Sequence, residues 1–238
     1  MWLPLNLPDI RPPAASFRLK PEATRVEDGN MIHLEERKRQ ALRQLQELGV
    51  LMHAGHYDYG NGYHGRAYLN PHRLFVHPAT IWRLAQDLLD VLPGDLLERT
   101  EVVAGPVMGG ALLAHTMSGL LDGRRALTHP ASSFAPFTYR EGTASELVLR
   151  GFYARHVAGR RVLLADDVRN TGATFARCAQ VVERAGGTVI ATVEICDRLE
   201  AVVDPGVPNY ALAEYEAPEN YAVADCPMCR AGEPITTF

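Results

Sequence analysis

Residues 162–174, VLLADDVRNTGAT, constrain the fold of this chain more than any other segment. An apolar run of the kind that forms a buried parallel strand is followed by an acidic pair, Asp166 and Asp167. A short loop with Thr, Gly and Thr comes next, and a helix is predicted to begin there. Because ligands in open α/β sheets bind at the carboxyl ends of the strands, the segment predicts a parallel sheet with a binding site at its edge.

The loop after the acidic pair has the chemistry of a phosphate site. Backbone amides at the start of a helix attract an anion, and the hydroxyls of Thr171 and Thr174 add donors. The two carboxylates suit sugar hydroxyls or a hydrated Mg²⁺. The alternative is that the acidic pair only caps a helix after a core strand. The full context of the loop favours a site for a sugar phosphate.

The same residues resemble the signature of type I phosphoribosyltransferases. In that family the acidic pair contacts the ribose hydroxyls of phosphoribosyl pyrophosphate (PRPP), and the following loop holds its 5′-phosphate. The resemblance implies that Asp166 and Asp167 are catalytic and bind Mg²⁺, the expected cofactor, through PRPP and water. It assigns the 5′-phosphate to Asn170, Thr171, Gly172, Ala173 and Thr174. Asn170 and Ala173 depart from the usual Thr-Thr-Gly-Gly or Thr-Gly-Gly-Thr pattern but are conservative in size.

A second glycine-containing loop lies at residues 105–110, GPVMGG, between a short β-rich run and a predicted helix. Its glycines allow backbone amides to approach an anion closely. Taken alone, it is equally compatible with a simple strand-to-helix turn. It resembles the loop that contacts pyrophosphate in the same family. That resemblance assigns Val107, Met108 and Gly109 to PRPP binding.

Residues 139–152, YREGTASELVLRGF, resemble a variant of the catalytic loop of orotate phosphoribosyltransferases. Better-known members carry lysines in this loop, whereas this sequence has lysine only at Lys20 and Lys38. The resemblance implies Arg140 and Arg150 as the catalytic cations. An arginine can neutralise pyrophosphate charge but does not readily donate a proton. The alternative is a solvated surface loop.

The orotate resemblance covers about residues 41–238 and points to orotate as the nucleobase acceptor. Tyr57 and Arg198 are the implied base contacts, although a strand-end salt bridge is the alternative role for Arg198. Gly60 stands where a lysine commonly contacts the base. Two alternatives therefore stay open: a phosphoribosyltransferase for another base, and a non-catalytic protein that senses PRPP or a nucleotide.

Cys226 and Cys229 belong to a C-terminal ending, CPMCRAGEP, that resembles the ending of the same variant group. Their spacing suits a metal, but a zinc site needs about four ligands. Cys178 and Cys196 are predicted on a helix and a buried strand, so histidines or a second subunit would have to complete a site. We expect instead a turn that packs two small thiols. The histidines at positions 53, 56, 64, 72 and 77 are interpreted as surface.

The predicted fold class is α/β: a parallel-sheet phosphoribosyltransferase core with a small subdomain, the hood, next to the active site. We expect an extended N-terminal arm at 1–30, a helix and hood segment at 31–78, a PRPP-binding core at 79–200 and a segment completing the hood at 201–238. Predicted helices include 33–48, 79–91 and 172–185. Strands are predicted at 101–105, 161–165 and 188–196, with a possible strand at 124–128 and a mobile loop at 129–150.

Composition excludes several other classes of protein. The 238 residues carry a net charge of −4, which argues against a general nucleic-acid binder. No apolar run reaches the length of a membrane span, and the start of the chain lacks the pattern of a secretory signal. Four cysteines in a chain of this length do not form a disulfide scaffold, which predicts a cytoplasmic setting. A homodimer is implied only by the family resemblance.

Overall fold

A computed structural model describes residues 26–59, 62–142, 146–200, 203–216 and 220–237. The helices are α1 (Val26–Glu47), α2 (His72–Phe75), α3 (Pro78–Val91), α4 (Gly94–Arg99), α5 (Gly109–Arg124), α6 (Gly151–Val157), α7 (Ala173–Arg184) and α8 (Pro227–Arg230). The strands are β1 (Leu51–Met52), β2 (Tyr57–Asp58), β3 (Tyr63–Gly65), β4 (Tyr68–Leu69), β5 (Val102–Pro106), β6 (Ser133–Tyr139), β7 (Leu147–Leu149), β8 (Arg161–Arg169), β9 (Thr188–Asp197), β10 (Asn209–Glu214) and β11 (Asn220–Ala222).

A six-stranded sheet in the order β10-β9-β8-β5-β6-β7 forms the centre of the core. All neighbouring strands are parallel except β7, which pairs antiparallel with β6 at the edge. Parallel strands are covered by helices on both faces, so they consist of nearly continuous apolar runs. In β8 the residues from Val162 to Ala165 are all buried. The predicted parallel sheet is therefore confirmed.

Successive residues of the central strands pack into two hydrophobic cores, because side chains alternate between the faces of a sheet. Val103 and Leu163 face the core that includes side chains of α1, α3 and α5. Val102 and Leu164 face the core built with α6 and α7. This packing fixes the starts of α5 and α7 at the carboxyl edge of the sheet, where each helix follows its strand.

The hood is a small antiparallel sheet in the order β11-β3-β2. Its register places Tyr221 of β11 opposite His64 of β3, and His64 opposite Asp58 of β2. A separate antiparallel pair of short strands is formed by β1, which precedes β2 and β3 in sequence, and β4, which follows them. The described residues between 49 and 77 form short strands and turns, as the glycine and aromatic content of the segment predicts, together with one short helix, α2. No helix within the described ranges has the length and hydropathy of a membrane span.

Several predicted boundaries differ from the structure. The possible strand at 124–128 is wrong, because α5 continues to Arg124 and the next strand is β6, from Ser133 to Tyr139. The predicted mobile loop at 129–150 contains β6 and β7, which are held by the burial of Phe137 and Leu147. Strand β8 does not end before the acidic pair but runs through it to Arg169.

The N-terminal prediction falls partly outside the described residues. Residues 1–25 of the expected arm lie there, while residues from Val26 onward belong to α1, which begins earlier than the predicted helix at 33–48. Gly60 of the hood and residues 143–145 of the predicted catalytic loop also lie outside the described ranges.

Candidate active site

A cavity of about 760 Å³ opens at the carboxyl edge of the parallel strands. Its core side is formed by the ends of β5 and β8 and by the loops that follow them. Its hood side is formed by tyrosines, including Tyr59 and Tyr68. The cavity therefore lies where the sequence predicts a ligand site. It is bounded by the hood and by residues 170–174, the predicted 5′-phosphate site, which we call the phosphate loop.

The acidic pair lies on the core side of this cavity. The backbone N–H of Asp167 donates to Oδ1 of Asp166 at 2.9 Å, and the Asp166 side chain is buried. Burial raises the pKa of Asp166 well above its usual value, and the adjacent charge of Asp167 raises it further. Burial also raises the pKa of Asp167, whereas nearby His72 acts in the opposite direction. Within the described part of the chain, neither carboxylate has an arginine or lysine partner at ion-pair distance.

Two glycines at the start of α5 make room for the acidic pair. A Cβ atom at Gly109 would lie 1.8 Å from Oδ2 of Asp167, and one at Gly110 would lie 2.8 Å from Oδ1 of Asp166. Any other residue at position 109 would collide with the carboxylate. The glycines thus bring the first turn of α5, with its unpaired amides, against the acidic pair. Val107, Met108 and Gly109 all line the cavity, next to both aspartates.

The phosphate loop depends on another glycine. Gly172 has a φ of +81°, and a Cβ there would lie 2.2 Å from the carbonyl oxygen of Val203. The N–H of Val203 in turn donates to the carbonyl of Thr171 at 2.9 Å. Asn170, Thr171 and Thr174 line the cavity, while Gly172 and Ala173 form the turn behind them. The side chains with hydrogen-bonding groups are those that face the ligand space.

A buried polar network lies beneath the phosphate loop. This network was not predicted from the sequence. Arg169 donates to Asp197 at 3.1 Å, and Asn209 donates to Oε1 of Glu194 at 2.8 Å. Burial raises the pKa of Glu194 to about 8. The available signal was a glutamate within the otherwise apolar run TVIATVEIC of β9. The network joins β8, β9 and β10 directly below the active-site loops.

Arg198 lies at the hood end of the cavity. Its guanidinium is 2.8 Å from Oε1 of Glu200 and lies over the ring of Tyr59. All three residues line the cavity. The salt bridge expected as an alternative role for Arg198 thus exists, but the arginine also faces the ligand space. One charged group is therefore available to an anionic ligand opposite the acidic pair.

Curated relatives agree with this arrangement. The chain is 34% identical over 183 residues to the orotate phosphoribosyltransferase of Erythrobacter litoralis, an alignment that covers 76% of this chain and 87% of the relative. The chain belongs to the orotate phosphoribosyltransferase family. This confirms the predicted family and places the protein among the PRPP-dependent pentosyltransferases. No family model matches the chain.

Solved structures confirm the fold of this orotate phosphoribosyltransferase family member. The orotate phosphoribosyltransferase of Aeropyrum pernix has a TM-score of 0.57 at 22% identity, covering 72% of this chain and 92% of its own. The adenine phosphoribosyl transferase of Trypanosoma brucei, in complex with AMP, pyrophosphate and ribose-5-phosphate, has a TM-score of 0.51 at 15% identity and covers 75% of this chain and 79% of its own. One fold thus serves enzymes named for different bases, so the fold does not choose the base.

Tyr57 does not face the ligand space. It is buried, and its ring packs 5.9 Å from the ring of Tyr68. Among the residues that the structure describes, the hood tyrosines that line the cavity are Tyr59, Tyr63 and Tyr68. Tyr57, the predicted base contact, therefore does not line the cavity, whereas these three tyrosines do.

The two predicted loop cations also lie away from the acidic pair. Arg140 forms an ion pair with Glu146 at 2.8 Å across the turn between β6 and β7. Arg150 is exposed and occupies the N-cap position of α6. Neither lines the cavity, whereas Tyr139 at the end of β6 does. The described part of the loop therefore borders the cavity through Tyr139, while Arg140 and Arg150 lie outside the cavity lining.

The interpretation of the hood histidines as surface residues is wrong for two of them. His56 and His64 are buried, with 4% and 5% of their surface exposed. Both contact Cys226 or Cys229, because the C-terminal segment packs against the hood through the pairing of β11 with β3. The prediction of a turn that packs only two thiols is therefore incomplete, because two buried histidines lie against the same thiols.

Proposed function

We propose that the protein transfers ribose 5-phosphate from PRPP to orotate, giving orotidine 5′-phosphate and pyrophosphate. One observation carries this proposal. A single cavity has an acidic pair and a phosphate loop on its core side and an arginine held by Glu200 and Tyr59 on its hood side. These groups match the ribose phosphate and the carboxylated pyrimidine, respectively.

The acidic pair is suited to the ribose and to a divalent cation. Carboxylate oxygens accept hydrogen bonds from sugar hydroxyls and are the ligands that Mg²⁺ prefers. Two neighbouring carboxyl groups with raised pKa values and no arginine or lysine partner in the described ranges favour the arrival of a cation with the substrate. When bound, Mg²⁺ would neutralise part of the pyrophosphate charge.

The two loops divide the phosphate groups of PRPP between them. Asn170, Thr171 and Thr174, together with the amides at the start of α7, would bind the 5′-phosphate, with Gly172 and Ala173 shaping the turn. Val107, Met108 and Gly109, at the start of α5, would bind the pyrophosphate.

Arg198 is the group proposed to select the base. A guanidinium can donate two parallel hydrogen bonds to a carboxylate, which is the feature that distinguishes orotate from uracil. Tyr59 and Tyr68 would supply flat apolar surfaces for the pyrimidine ring. Tyr57 would act only by supporting Tyr68.

In the reaction, a ring nitrogen of orotate loses its proton to the departing pyrophosphate or to solvent and forms a bond to C1 of the ribose, while the bond from C1 to the pyrophosphate oxygen breaks. Positive charge develops at C1, so positioning and neutralisation of the leaving group dominate catalysis. Arg140 and Arg150 would contribute to that neutralisation if the β6–β7 segment closes over bound PRPP, as active-site loops commonly do. This closure would exchange the Arg140–Glu146 ion pair for a contact with pyrophosphate.

The test is an assay of pyrophosphate release with PRPP, Mg²⁺ and a panel of bases. Orotate should give release, and the Asp166→Asn, Asp167→Asn double variant should give none, whereas Asp95→Asn, at an exposed acid on α4, should behave as the unmodified protein. Retained activity in the double variant would overturn the assignment of the site.

The same panel separates the alternatives. Release with a different base only would support another acceptor, as the glycine at position 60 allows. Tight PRPP binding without release would support the sensing protein, the alternative favoured by a predicted catalytic loop without lysine. We also propose a homodimer in the cytoplasm. Analytical ultracentrifugation with and without PRPP tests the dimer.

A further inference from the structure

Two histidines of the hood and two cysteines of the C-terminal segment form a compact cluster. One nitrogen or sulfur atom from each of His56, His64, Cys226 and Cys229 lies within 4.8 Å of every other. Nε2 of His56 is 3.1 Å from Nδ1 of His64 and 3.6 Å from each sulfur. Nδ1 of His64 is 3.3 Å from the sulfur of Cys229. Four atoms of these types facing one point form a potential coordination site.

We propose that this cluster binds one structural Zn²⁺ ion through Nε2 of His56, Nδ1 of His64 and the sulfurs of Cys226 and Cys229. Zinc bonds of about 2.0 Å to nitrogen and about 2.3 Å to sulfur, arranged as a tetrahedron, separate two nitrogens by about 3.3 Å and a nitrogen from a sulfur by about 3.5 Å. The four separations given above lie within a few tenths of an ångström of those values. The ion would therefore fit with little movement of its ligands.

The outer nitrogens of both rings support the assignment. Nδ1 of His56 is 3.0 Å from the carbonyl oxygen of Glu233, which can only accept a hydrogen bond, so the proton lies on Nδ1. Nε2 of His64 faces Oδ1 of Asp58 at 3.9 Å. Histidines that bind metals are commonly oriented by a carbonyl or carboxylate on the far nitrogen in this way.

This orientation has a consequence for the inner nitrogens. When the His64 proton lies on Nε2, towards Asp58, Nε2 of His56 and Nδ1 of His64 direct lone pairs at each other across 3.1 Å. Two acceptors at that separation repel each other in a buried site unless a cation lies between them. A soft divalent ion bound by two imidazoles and two thiolates relieves this repulsion, and zinc is the metal that such a tetrahedral set selects.

The site is structural. All four positions of a tetrahedral ion would be filled by protein ligands, which leaves none open for substrate or water. None of the four residues lines the large cavity. The ligands come from segments of the chain more than 160 residues apart, so zinc would cross-link the hood to the C-terminal segment. The proposal is independent of which base the enzyme uses.

The test begins with metal analysis of the full chain, produced without a histidine tag and purified under reducing conditions. We expect about one zinc per chain. After removal of zinc, added Co²⁺ should give the visible bands of a tetrahedral ion and thiolate charge-transfer absorption in the near ultraviolet. The Cys226→Ser, Cys229→Ser double variant should lose both signals. The Cys178→Ala variant, at a buried cysteine of α7, should keep them.

Two results would overturn the proposal. One is a reduced, unmodified protein that contains no zinc and gives no thiolate charge transfer with Co²⁺. The other is retention of the full Co²⁺ spectrum by the double variant. If the double variant does not fold, the unmodified protein still decides the question by Co²⁺ titration.

Discussion

The guanidinium carbon of Arg198 lies 5.5 Å from the centre of the Tyr59 ring, at the hood end of the cavity. Glu200 holds the same guanidinium from another side at 2.8 Å. A cation over an aromatic face is attracted to the partial negative charge on the face of the ring, so the two contacts together fix the direction of the side chain. The same cavity therefore holds a preorganised positive group as well as the acidic pair.

Arg198→Ala should weaken recognition of orotate. The loss of a hydrogen bond to a charged group costs about 1.5–3 kcal/mol, which corresponds to a decrease in kcat/KM for orotate of roughly 10- to 150-fold. The KM for PRPP should change little. Steady-state kinetics with each substrate varied in turn tests this, with Arg184→Ala, at an exposed arginine of α7, as the control. An equal loss for both substrates would argue against a role in base binding.

Gly109→Ala should disrupt the contact between α5 and the acidic pair, because its Cβ would lie 1.8 Å from Oδ2 of Asp167. A displacement of the carboxylate by about 1 Å can lower activity by roughly 100-fold. The matched control is Gly119→Ala on the same helix, where a Cβ meets no atom within 4 Å. That change should raise the free energy of unfolding by about 0.5–1 kcal/mol and preserve PRPP turnover. Equal activity of the two variants would contradict the predicted role of the contact.

Gly172→Ala should cost more stability than Gly186→Ala. Both glycines have positive φ angles, +81° and +79°, so both variants pay for a left-handed alanine, about 1 kcal/mol. Only at position 172 would the Cβ also collide with a backbone oxygen, that of Val203 at 2.2 Å. Urea unfolding should show the larger loss for Gly172→Ala, together with weaker PRPP binding by calorimetry. Equal losses of stability in the two variants would show that the backbone around Gly172 rearranges to accommodate the Cβ.

Glu194→Gln should change how stability depends on pH. The pKa of Glu194 is raised from 4.5 to about 8, so the folded protein binds a proton there that the unfolded chain releases. This contribution is complete below pH 4.5 and is lost as pH rises towards 8. It amounts to roughly 1.4 kcal/mol for each pH unit between those values. Glutamine does not titrate, so the Glu194→Gln variant does not lose this stability as pH rises.

Subtracting the free energy of unfolding of the unmodified protein from that of Glu194→Gln isolates the contribution of Glu194, since other titratable groups contribute equally to both proteins. The free energy of unfolding of Glu194→Gln, relative to the unmodified protein, should therefore increase between about pH 5 and pH 8. Urea unfolding at several pH values measures it. A difference that stays constant with pH would show that Glu194 is already ionised in the folded protein.

The segment around the acidic pair was predictable from sequence because its signals are local. The apolar run of β8, the loop glycine at 172 and the following helix all act within thirteen residues, and the parallel sheet follows from them. The strand β6 was not predictable in the same way. Pro136 and Ser133 weaken its β pattern, and only the burial of Phe137 between β5 and β7 establishes it as a strand.

The site was predictable in its core half and less so in its hood half. Asp166, Asp167 and the 107–109 loop lie on one cavity because parallel strands end at the same edge of the sheet. The choice of Tyr59 over Tyr57, and the pairing of Arg198 with Glu200, depend on how the hood packs over the core. No local pattern specifies that packing.

The sequence by itself determined the α/β class, the phosphate loop and the family, because each rests on residues that are close together in the chain. Only the tertiary structure brought His56 and His64 to Cys226 and Cys229, and placed Glu194 beside Asn209 beneath the loops. Those contacts join segments separated in the chain, and they form only when burial of the hydrophobic cores fixes the helices and strands in three dimensions.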